Sequence, residues 1–226
     1  MQEALERLIM RIGEIFAAGG VVMYPLLGFS ILSTALIVER IAFWTRLNRR
    51  QRQVAREVLK IYQHDPEAAI LQLRQAIDLP ISRIFLEALT LENPSPNVFR
   101  LALEGATQAE IPILRRFNTV FDIIITASPL LGLLGTVLGL IRSFASVNLG
   151  NIGTQNAGNV TTGISEALVS TASGITVAVF TLIFATAFRG FYRRQLALIR
   201  EYGSQIEMLH LARYEAEHGV KPYARS

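Results

Sequence analysis

Three long runs of apolar residues without any charged side chain divide the chain. They run from Ile15 to Val38, from Ile123 to Ile141 and from Ala167 to Phe188. Each is about as long as the roughly 18 to 20 residues that a helix needs to cross about 30 Å of hydrocarbon. The pattern predicts an all-α integral membrane protein with transmembrane helices over 19–46, 119–147 and 163–188.

The segments around these runs are predicted to be short or helical. Apolar residues recur at helical spacing near the N-terminus, opposite acidic ones, which predicts an amphipathic helix over 1–18 at the outer membrane surface. Residues 47–118 are predicted to form a cytoplasmic helical region, in which Asp65 caps a helix that begins with a proline. Residues 148–162 are predicted to form a periplasmic loop, and 189–226 to form a cytoplasmic C-terminal helix and tail.

Two prolines interrupt the helical pattern of the second span. After Pro96, only Pro112 and Pro129 would stop a helix before residue 147. Because membrane helices tolerate proline by bending, the second span is expected to project beyond the bilayer, kinked at both prolines. The part outside the bilayer is therefore predicted to extend a helical bundle.

Basic residues flank the apolar runs on one side of the predicted membrane. They follow the first run, precede the second and follow the third: Arg46, Arg49, Arg50, Arg115, Arg116, Arg189, Arg193 and Arg194. The connection 148–162 carries no charge. Because Lys and Arg accumulate in cytoplasmic segments, this asymmetry predicts a periplasmic N-terminus and a cytoplasmic C-terminus.

The amino-acid composition limits the classes of protein and of functional site that the chain could represent. The chain is 51% hydrophobic with a mean hydropathy of +0.36, which is too apolar for an ordinary soluble domain. It has no cysteine and three widely separated histidines, so we predict no metal site and no cofactor.

The net charge of +4 comes from residues that flank apolar runs, which favours a role of these charges in membrane topology over nucleic-acid binding. An ordinary enzyme is the weakest hypothesis, because no nucleophile pair or nucleotide-binding glycine pattern occurs.

The second span carries small and polar residues at helical spacing. They are Ser128, Gly132, Gly135, Thr136, Gly139 and Ser143, with leucines on the other faces. Such a stripe is typical of close helix packing, for which the glycines are the candidates. It is also compatible with a polar path through the membrane.

The third span carries hydroxyl residues, including Ser170 and Thr171, the packing glycine Gly174, and Glu166 near its outer end. A carboxylate at that position is costly unless it faces a partner or water. In an antiparallel pair of helices, facing residues have a constant sum of residue numbers. By this measure Thr136 lies level with Thr171, and Arg142 lies level with Glu166.

These levels predict an Arg142–Glu166 ion pair, which is either part of a proton path, a structural clamp or two interfacial charges. Glu166 and Thr171 are about 140° apart around a helix, so they cannot both face one axis. A ring of identical subunits would supply both environments. Asp122, at the cytoplasmic end of the second span, is either an interfacial salt-bridge residue or a proton exit.

The two motifs, residues 128–139 (SPLLGLLGTVLG) and 163–174 (GISEALVSTASG), resemble the paired signature of the MotA/TolQ/ExbB proton channel family. Residues 20–27 (GVVMYPLL) are similar to that family's first span. Three spans with an external N-terminus resemble the ExbB/TolQ branch. One departure is visible in the third span, where family members often have a proline and this chain has Ala178-Val179-Phe180.

The resemblance implies a homopentamer in the bacterial inner membrane, in contact with lipid. Its pore would hold the single helices of ExbD/TolR-like partners, whose acidic residue carries protons, and motion would pass to a TonB- or TolA-like protein. By resemblance, Thr136 and Thr171 match pore-lining threonines and Glu166 matches the outer acid. Together with Ser143 and Ser170 they form the predicted proton pathway.

Two other functions stay open from the sequence. A TolQ-like role in envelope integrity and division would use the same residues. A non-conducting membrane scaffold would use the glycine and hydroxyl stripes only to pack helices, and the Arg142–Glu166 pair only as a clamp.

Overall fold

The computed structural model describes Gly13, residues 18–145 and residues 154–219. Six helices lie in these parts of the chain: α1 (Met23–Tyr62), α2 (Pro66–Gln75), α3 (Pro80–Leu89), α4 (Pro96–Leu114), α5 (Asn118–Ala145) and α6 (Thr154–His218). The described residues contain no strand. The predicted helix over 1–18 falls outside the described residues, except for Gly13 and Ala18.

Three stretches are long and apolar enough to cross a membrane: Met23–Tyr62, Pro96–Ala145 and Val160–His218. Together with the helical, strand-free structure of the described residues, they confirm the prediction of an all-α membrane protein. Contacts divide the chain into two compact units. We call residues 1–39 with 117–187 the membrane unit, and residues 40–116 with 188–226 the second unit.

The core of the membrane unit is built largely from small residues on α5 and α6. The start of α1 and the residue before it add an apolar cluster of Val22, Met23 and Leu26, against which Leu131 and Leu138 of α5 pack. Many large apolar side chains on the outside of this unit are exposed, including Leu130 and Phe144. Outward apolar surface is expected of helices that meet lipid or neighbouring subunits rather than water.

The second unit has a conventional apolar core. Phe85 of α3, Phe99 of α4 and Ile206 of α6 are fully buried in it. The Asp65 side chain accepts a hydrogen bond of 3.0 Å from the backbone N–H of Ala68, which confirms the predicted N-cap of α2. The unit is therefore stabilised by burial of large side chains and by helix caps.

A partly buried ion pair also holds the second unit together. Arg83 of α3 donates two hydrogen bonds, of 2.6 and 2.7 Å, to the Glu110 carboxylate of α4. These bonds raise the pKa of the Arg83 guanidinium. The guanidinium thus stays charged, and its two hydrogen bonds fix α3 against α4.

The helix of the second span is interrupted rather than only kinked. Pro112 lies inside α4, which ends at Leu114, and a turn follows before α5 begins at Asn118. Phe117 in this turn has a φ of 69°, a left-handed conformation that ends a helix. Pro129 lies inside α5, where the helix continues past it.

The third long helix starts earlier than the predicted span. α6 begins at Thr154, within the segment that the sequence assigns to the periplasmic loop. Residues 146–153 lie outside the described part of the chain. From Thr154 the helix is continuous to His218.

Candidate proton pathway

Helices α5 and α6 approach each other along a seam of small residues. A Cβ atom on Gly139 would lie 2.7 Å from the Gly163 carbonyl oxygen, and one on Gly132 would lie 2.9 Å from the Ser170 carbonyl oxygen. A Cβ on Gly174 would meet the backbone of Gly132 at 3.1 Å. Because these neighbours are backbone atoms that cannot move aside, only glycine at these positions permits the two helices to approach so closely.

Gly135 also faces α6, where a Cβ would overlap the Ser170 hydroxyl group. The same Cβ would lie 3.5 Å from the Cβ of Val22, which immediately precedes α1. The four glycines that the sequence predicts as packing residues, Gly132, Gly135, Gly139 and Gly174, are all buried at this seam. Gly135 thus lies where α5, α6 and the residue just before α1 meet.

A cluster of hydroxyl groups lies in the middle of the seam. The hydroxyls of Thr136 and Thr171 are hydrogen-bonded to each other across the two helices. Both also lie within reach of the Gly132 carbonyl oxygen, at 3.2 Å from Thr136 and 3.0 Å from Thr171. Both threonines are half-buried, and each lies inside the uncharged run of its helix.

Ser170 and Ser143 are fully buried in the same seam. The Ser170 hydroxyl lies 2.9 Å from the Ala167 carbonyl and 3.3 Å from that of Gly132. The Ser143 hydroxyl lies 3.1 Å from the Gly139 carbonyl of its own helix. The contacts of both serines are with helix backbone, as in packing residues, and the proton role predicted for them stays a prediction.

The two charged groups predicted to pair are in contact. An Arg142 guanidinium nitrogen of α5 lies 2.5 Å from a Glu166 carboxylate oxygen of α6. The Arg142 side chain is 51% exposed, whereas that of Glu166 is 15% exposed. The carboxylate is therefore enclosed by the protein and its counter-ion faces outward.

Glu166 also contacts a residue that the sequence analysis did not single out as functional. Its carboxylate lies against Gly20, where an added Cβ would overlap the carboxylate oxygen. Gly20 has a φ of 71°, which favours glycine. The loop before α1 thus closes over the carboxylate, and no spacing pattern in the sequence indicates this contact.

A second interaction missed by the sequence joins α1 to α6. The hydroxyls of Ser33 and Thr181 are 2.8 Å apart, and both residues are fully buried. The Thr181 hydroxyl also donates a hydrogen bond of 2.7 Å to the Val177 carbonyl, so it accepts from Ser33. Buried polar pairs of this kind fix the relative position of two membrane helices.

The remaining predicted site residue, Asp122, is exposed near the start of α5. Its backbone carbonyl accepts a hydrogen bond of 2.8 Å from the Thr126 hydroxyl. Among the described residues, no group of three or more acidic or histidine side chains could hold a metal ion. Within the described part of the membrane unit, the candidate pathway therefore combines hydroxyl groups, the Arg142–Glu166 ion pair and backbone carbonyls.

Residues 76–201 match the MotA/TolQ/ExbB proton channel family, and this range includes the hydroxyl cluster and the Arg142–Glu166 pair. The chain belongs to this family. The family is one of channels and transport proteins rather than enzymes, and the protein is accordingly a multi-pass membrane protein of the ExbB-like kind.

Individual relatives cover more of the chain. It is 56% identical to the ExbB-like 3 protein of Synechocystis sp. over 209 residues, or 92% of this chain and 99% of the relative. It is 38% identical to ExbB-like 1 of the same organism, over 94% of this chain and 84% of the relative. Both relatives are named as candidate biopolymer transport proteins. An ExbB homologue of Methanothermobacter thermautotrophicus is 25% identical over 74% of this chain and 58% of that protein.

Proposed function

We propose that this chain is the channel-forming subunit of an ExbB-like, proton-driven motor. The observation that carries the proposal is the pair of hydroxyls from Thr136 and Thr171, joined across α5 and α6 inside their uncharged runs. Hydroxyls can both donate and accept hydrogen bonds, so they can pass a proton between neighbours or orient one carried by another chain. Because the chain belongs to a proton channel family, we propose that the ion these hydroxyls help to move is the proton.

The proton carrier itself is proposed to come from a partner. The uncharged runs 123–141 and 167–188 contain no carboxylate or imidazole that could bind and release a proton at mid-membrane depth. We therefore propose an ExbD- or TolR-like single-helix partner that carries an acid, inside a homopentamer of this chain. The half-buried position of Thr136 and Thr171 leaves part of each side chain open to such a helix.

Glu166 is proposed to act at the periplasmic entrance of the pathway. Its carboxyl group lies against Gly20 and Arg142 in the outer part of α6. The exposed Asp122 is proposed as an exit near the opposite end of α5. Orientation follows the positive-inside rule, with the N-terminus in the periplasm of a bacterial inner membrane.

The motor is proposed to drive a TonB-like protein, which would energise uptake across the outer membrane. The ExbB-like names of the relatives favour this role over TolQ-like envelope maintenance. We expect disruption of the gene to abolish energised uptake while leaving cell division normal. Division defects with normal uptake would instead support the TolQ-like role.

Proton flux tests the site assignment directly. The full chain, co-expressed with its single-span partner, is reconstituted into vesicles that contain a pH-sensitive dye, and a potassium gradient drives protons inward. We expect Thr136→Val and Glu166→Gln to reduce flux at least about tenfold, which corresponds to roughly 1.4 kcal/mol. Thr176→Val is the matched control, because in the described part of the chain the exposed Thr176 hydroxyl bonds only the Ala172 carbonyl of its own helix.

The outcomes separate cleanly. Reduced flux in the two site variants, with an intact assembly and a normal Thr176→Val control, would support the assignment. Normal flux in both site variants would contradict it.

A further inference from the structure

A mostly apolar cavity of ≈ 260 Å³ opens between α1 and α6 in the second unit. Ile41, Trp44, Phe188 and Phe191 line it, and the Trp44 and Phe191 rings lie 6.0 Å apart. The exposed Arg194 completes its lining together with Gln195. An apolar pocket with a cation at its edge is suited to an amphipathic, anionic ligand.

Two buried donors in this lining lack acceptors. Neither Trp44 Nε1 nor Gln195 Nε2 has a hydrogen-bond partner among the residues that the structure describes. Trp44 is 5% exposed and Gln195 is 3% exposed, so water does not freely reach these side chains. Because buried N–H groups are almost always paired, two unpaired donors in one pocket indicate a ligand that brings oxygen acceptors.

The position in the chain identifies the source of that ligand. Trp44 lies just after the first apolar run, and Arg194 lies just after the third, on flanks rich in arginine. Tryptophan and arginine at the ends of membrane helices mark the level of the lipid headgroups. Basic pockets between membrane helices at this level bind anionic headgroups.

We propose that this cavity binds an anionic phospholipid. The phosphate would pair with the Arg194 guanidinium, and phosphate or ester oxygens would accept hydrogen bonds from Trp44 Nε1 and Gln195 Nε2. The apolar wall takes the first part of one acyl chain. Because the cavity is smaller than the roughly 300–1,000 Å³ that encloses a drug-sized ligand, the remaining acyl chain stays in the bilayer.

Lipid retention tests the proposal. The detergent-extracted full chain is stripped of lipid and incubated with phosphatidylglycerol or phosphatidylcholine of identical acyl chains. Native mass spectrometry then measures the fraction of protein that has lipid bound. We expect phosphatidylglycerol to bind at least about tenfold more tightly, and Arg194→Ala to remove that preference. Trp44→Phe, which keeps the ring but lacks the N–H, should weaken binding about threefold to tenfold.

Arg193→Ala is the matched control, since it removes the same charge one residue away from an exposed side chain outside the cavity lining. It should leave the preference for phosphatidylglycerol intact. An equal effect of Arg193→Ala and Arg194→Ala would overturn the site, because the effect would then be one of general charge. Equal retention of the two lipids by the unaltered protein would overturn it as well.

Two further experiments distinguish an anionic phospholipid from other occupants of the cavity. Glycerol phosphate in excess should leave the lipid bound, whereas its release would assign the pocket to a soluble phosphate. A photo-crosslinking amino acid in place of Phe191 should label lipid in native membranes. Crosslinks to a second copy of the chain instead would make the cavity a subunit interface and overturn the proposal.

Discussion

The carboxylate of Glu166 lies against the backbone of Gly20, so closely that a methyl group on Gly20 would overlap it. The contact joins the loop before α1 to the outer part of α6. It also holds the carboxylate where the Arg142 guanidinium reaches it. The position of the only acid within the α6 part of the membrane unit thus depends on a residue that has no side chain.

Gly20→Ala should displace this carboxylate. The added methyl group overlaps the Glu166 side chain, and a φ of 71° costs an alanine about 1–2 kcal/mol. We expect the melting temperature of the extracted assembly to fall by several degrees, with reduced proton flux. Gly28→Ala is the control, because a Cβ there meets nothing within 4 Å, and its melting temperature should stay equal or rise. Equal behaviour of the two variants would show that the contact has no consequence.

A charge exchange distinguishes a proton-path acid from a clamp. In the variant Arg142→Glu with Glu166→Arg, the ion pair can re-form with reversed polarity. We expect the assembly to persist but proton flux to stay at least about tenfold below that of the unaltered protein. If flux recovers relative to Glu166→Gln, the pair is a structural clamp and Glu166 is not a residue of the proton path.

The glycine seam should tolerate no side chains. Gly139→Ala places a methyl group 2.7 Å from the Gly163 carbonyl oxygen, so α5 and α6 must separate. We expect a loss of about 1–3 kcal/mol in unfolding free energy, measured by denaturation in detergent. Gly190→Ala in α6, where a Cβ meets nothing within 4 Å, should show no loss. A Gly139→Ala protein as stable as the Gly190→Ala protein would contradict the seam.

The Ser33–Thr181 hydrogen bond should contribute modestly to stability. Thr181→Val keeps the shape of the side chain but leaves the buried Ser33 hydroxyl without its partner at 2.8 Å. We expect a loss of about 0.6 kcal/mol and at most about 1.7 kcal/mol, which are the average and the maximum measured for hydrogen bonds between membrane helices. Thermal unfolding against Thr176→Val, an exposed threonine on the same helix, provides the comparison. Equal stability of the Thr181→Val and Thr176→Val proteins would show that the Ser33–Thr181 hydrogen bond does not contribute to stability.

Stability of the second unit should fall in strong alkali. Burial raises the pKa of the Tyr62 phenol above its usual value of about 10, and its hydroxyl contacts His210 Nδ1 at 3.2 Å. Because the unfolded chain loses this proton first, stability is complete below pH 10 and declines as pH rises toward the raised pKa. Tyr62→Phe lacks this decline, so its deficit in melting temperature at pH 8 should shrink at pH 11. A deficit that is independent of pH would contradict the prediction.

The spans and the ion pair could be predicted from the sequence because both depend on one-dimensional quantities. Apolar length sets which segments cross the membrane, and the level of a residue along an antiparallel pair sets its partner. Arg142 therefore meets Glu166, and Thr136 meets Thr171, without knowledge of any side-chain orientation.

The contacts that escaped prediction depend on three-dimensional packing. Gly20 reaches Glu166 only because of its left-handed backbone conformation, which no hydropathy pattern encodes. Ser33 and Thr181 were unremarkable because buried serine and threonine are satisfied by their own helix in most cases. The interruption after Leu114 depends on the conformation of Phe117, a residue type that does not usually end helices.

The Gly132 carbonyl oxygen has more hydroxyl neighbours than the number of hydrogen bonds it can accept. Thr136, Ser170 and Thr171 all lie within 3.3 Å of it, yet a carbonyl oxygen has two lone pairs. At least one hydroxyl must therefore turn its hydrogen elsewhere, and the Ala167 carbonyl offers an alternative to both Thr136 and Ser170. Several hydrogen-bond arrangements thus share one set of heavy-atom positions. In the proposed proton pathway, the cluster would reorient its local dipole toward a passing positive charge by rotation of O–H bonds alone, while both helix backbones stay in place.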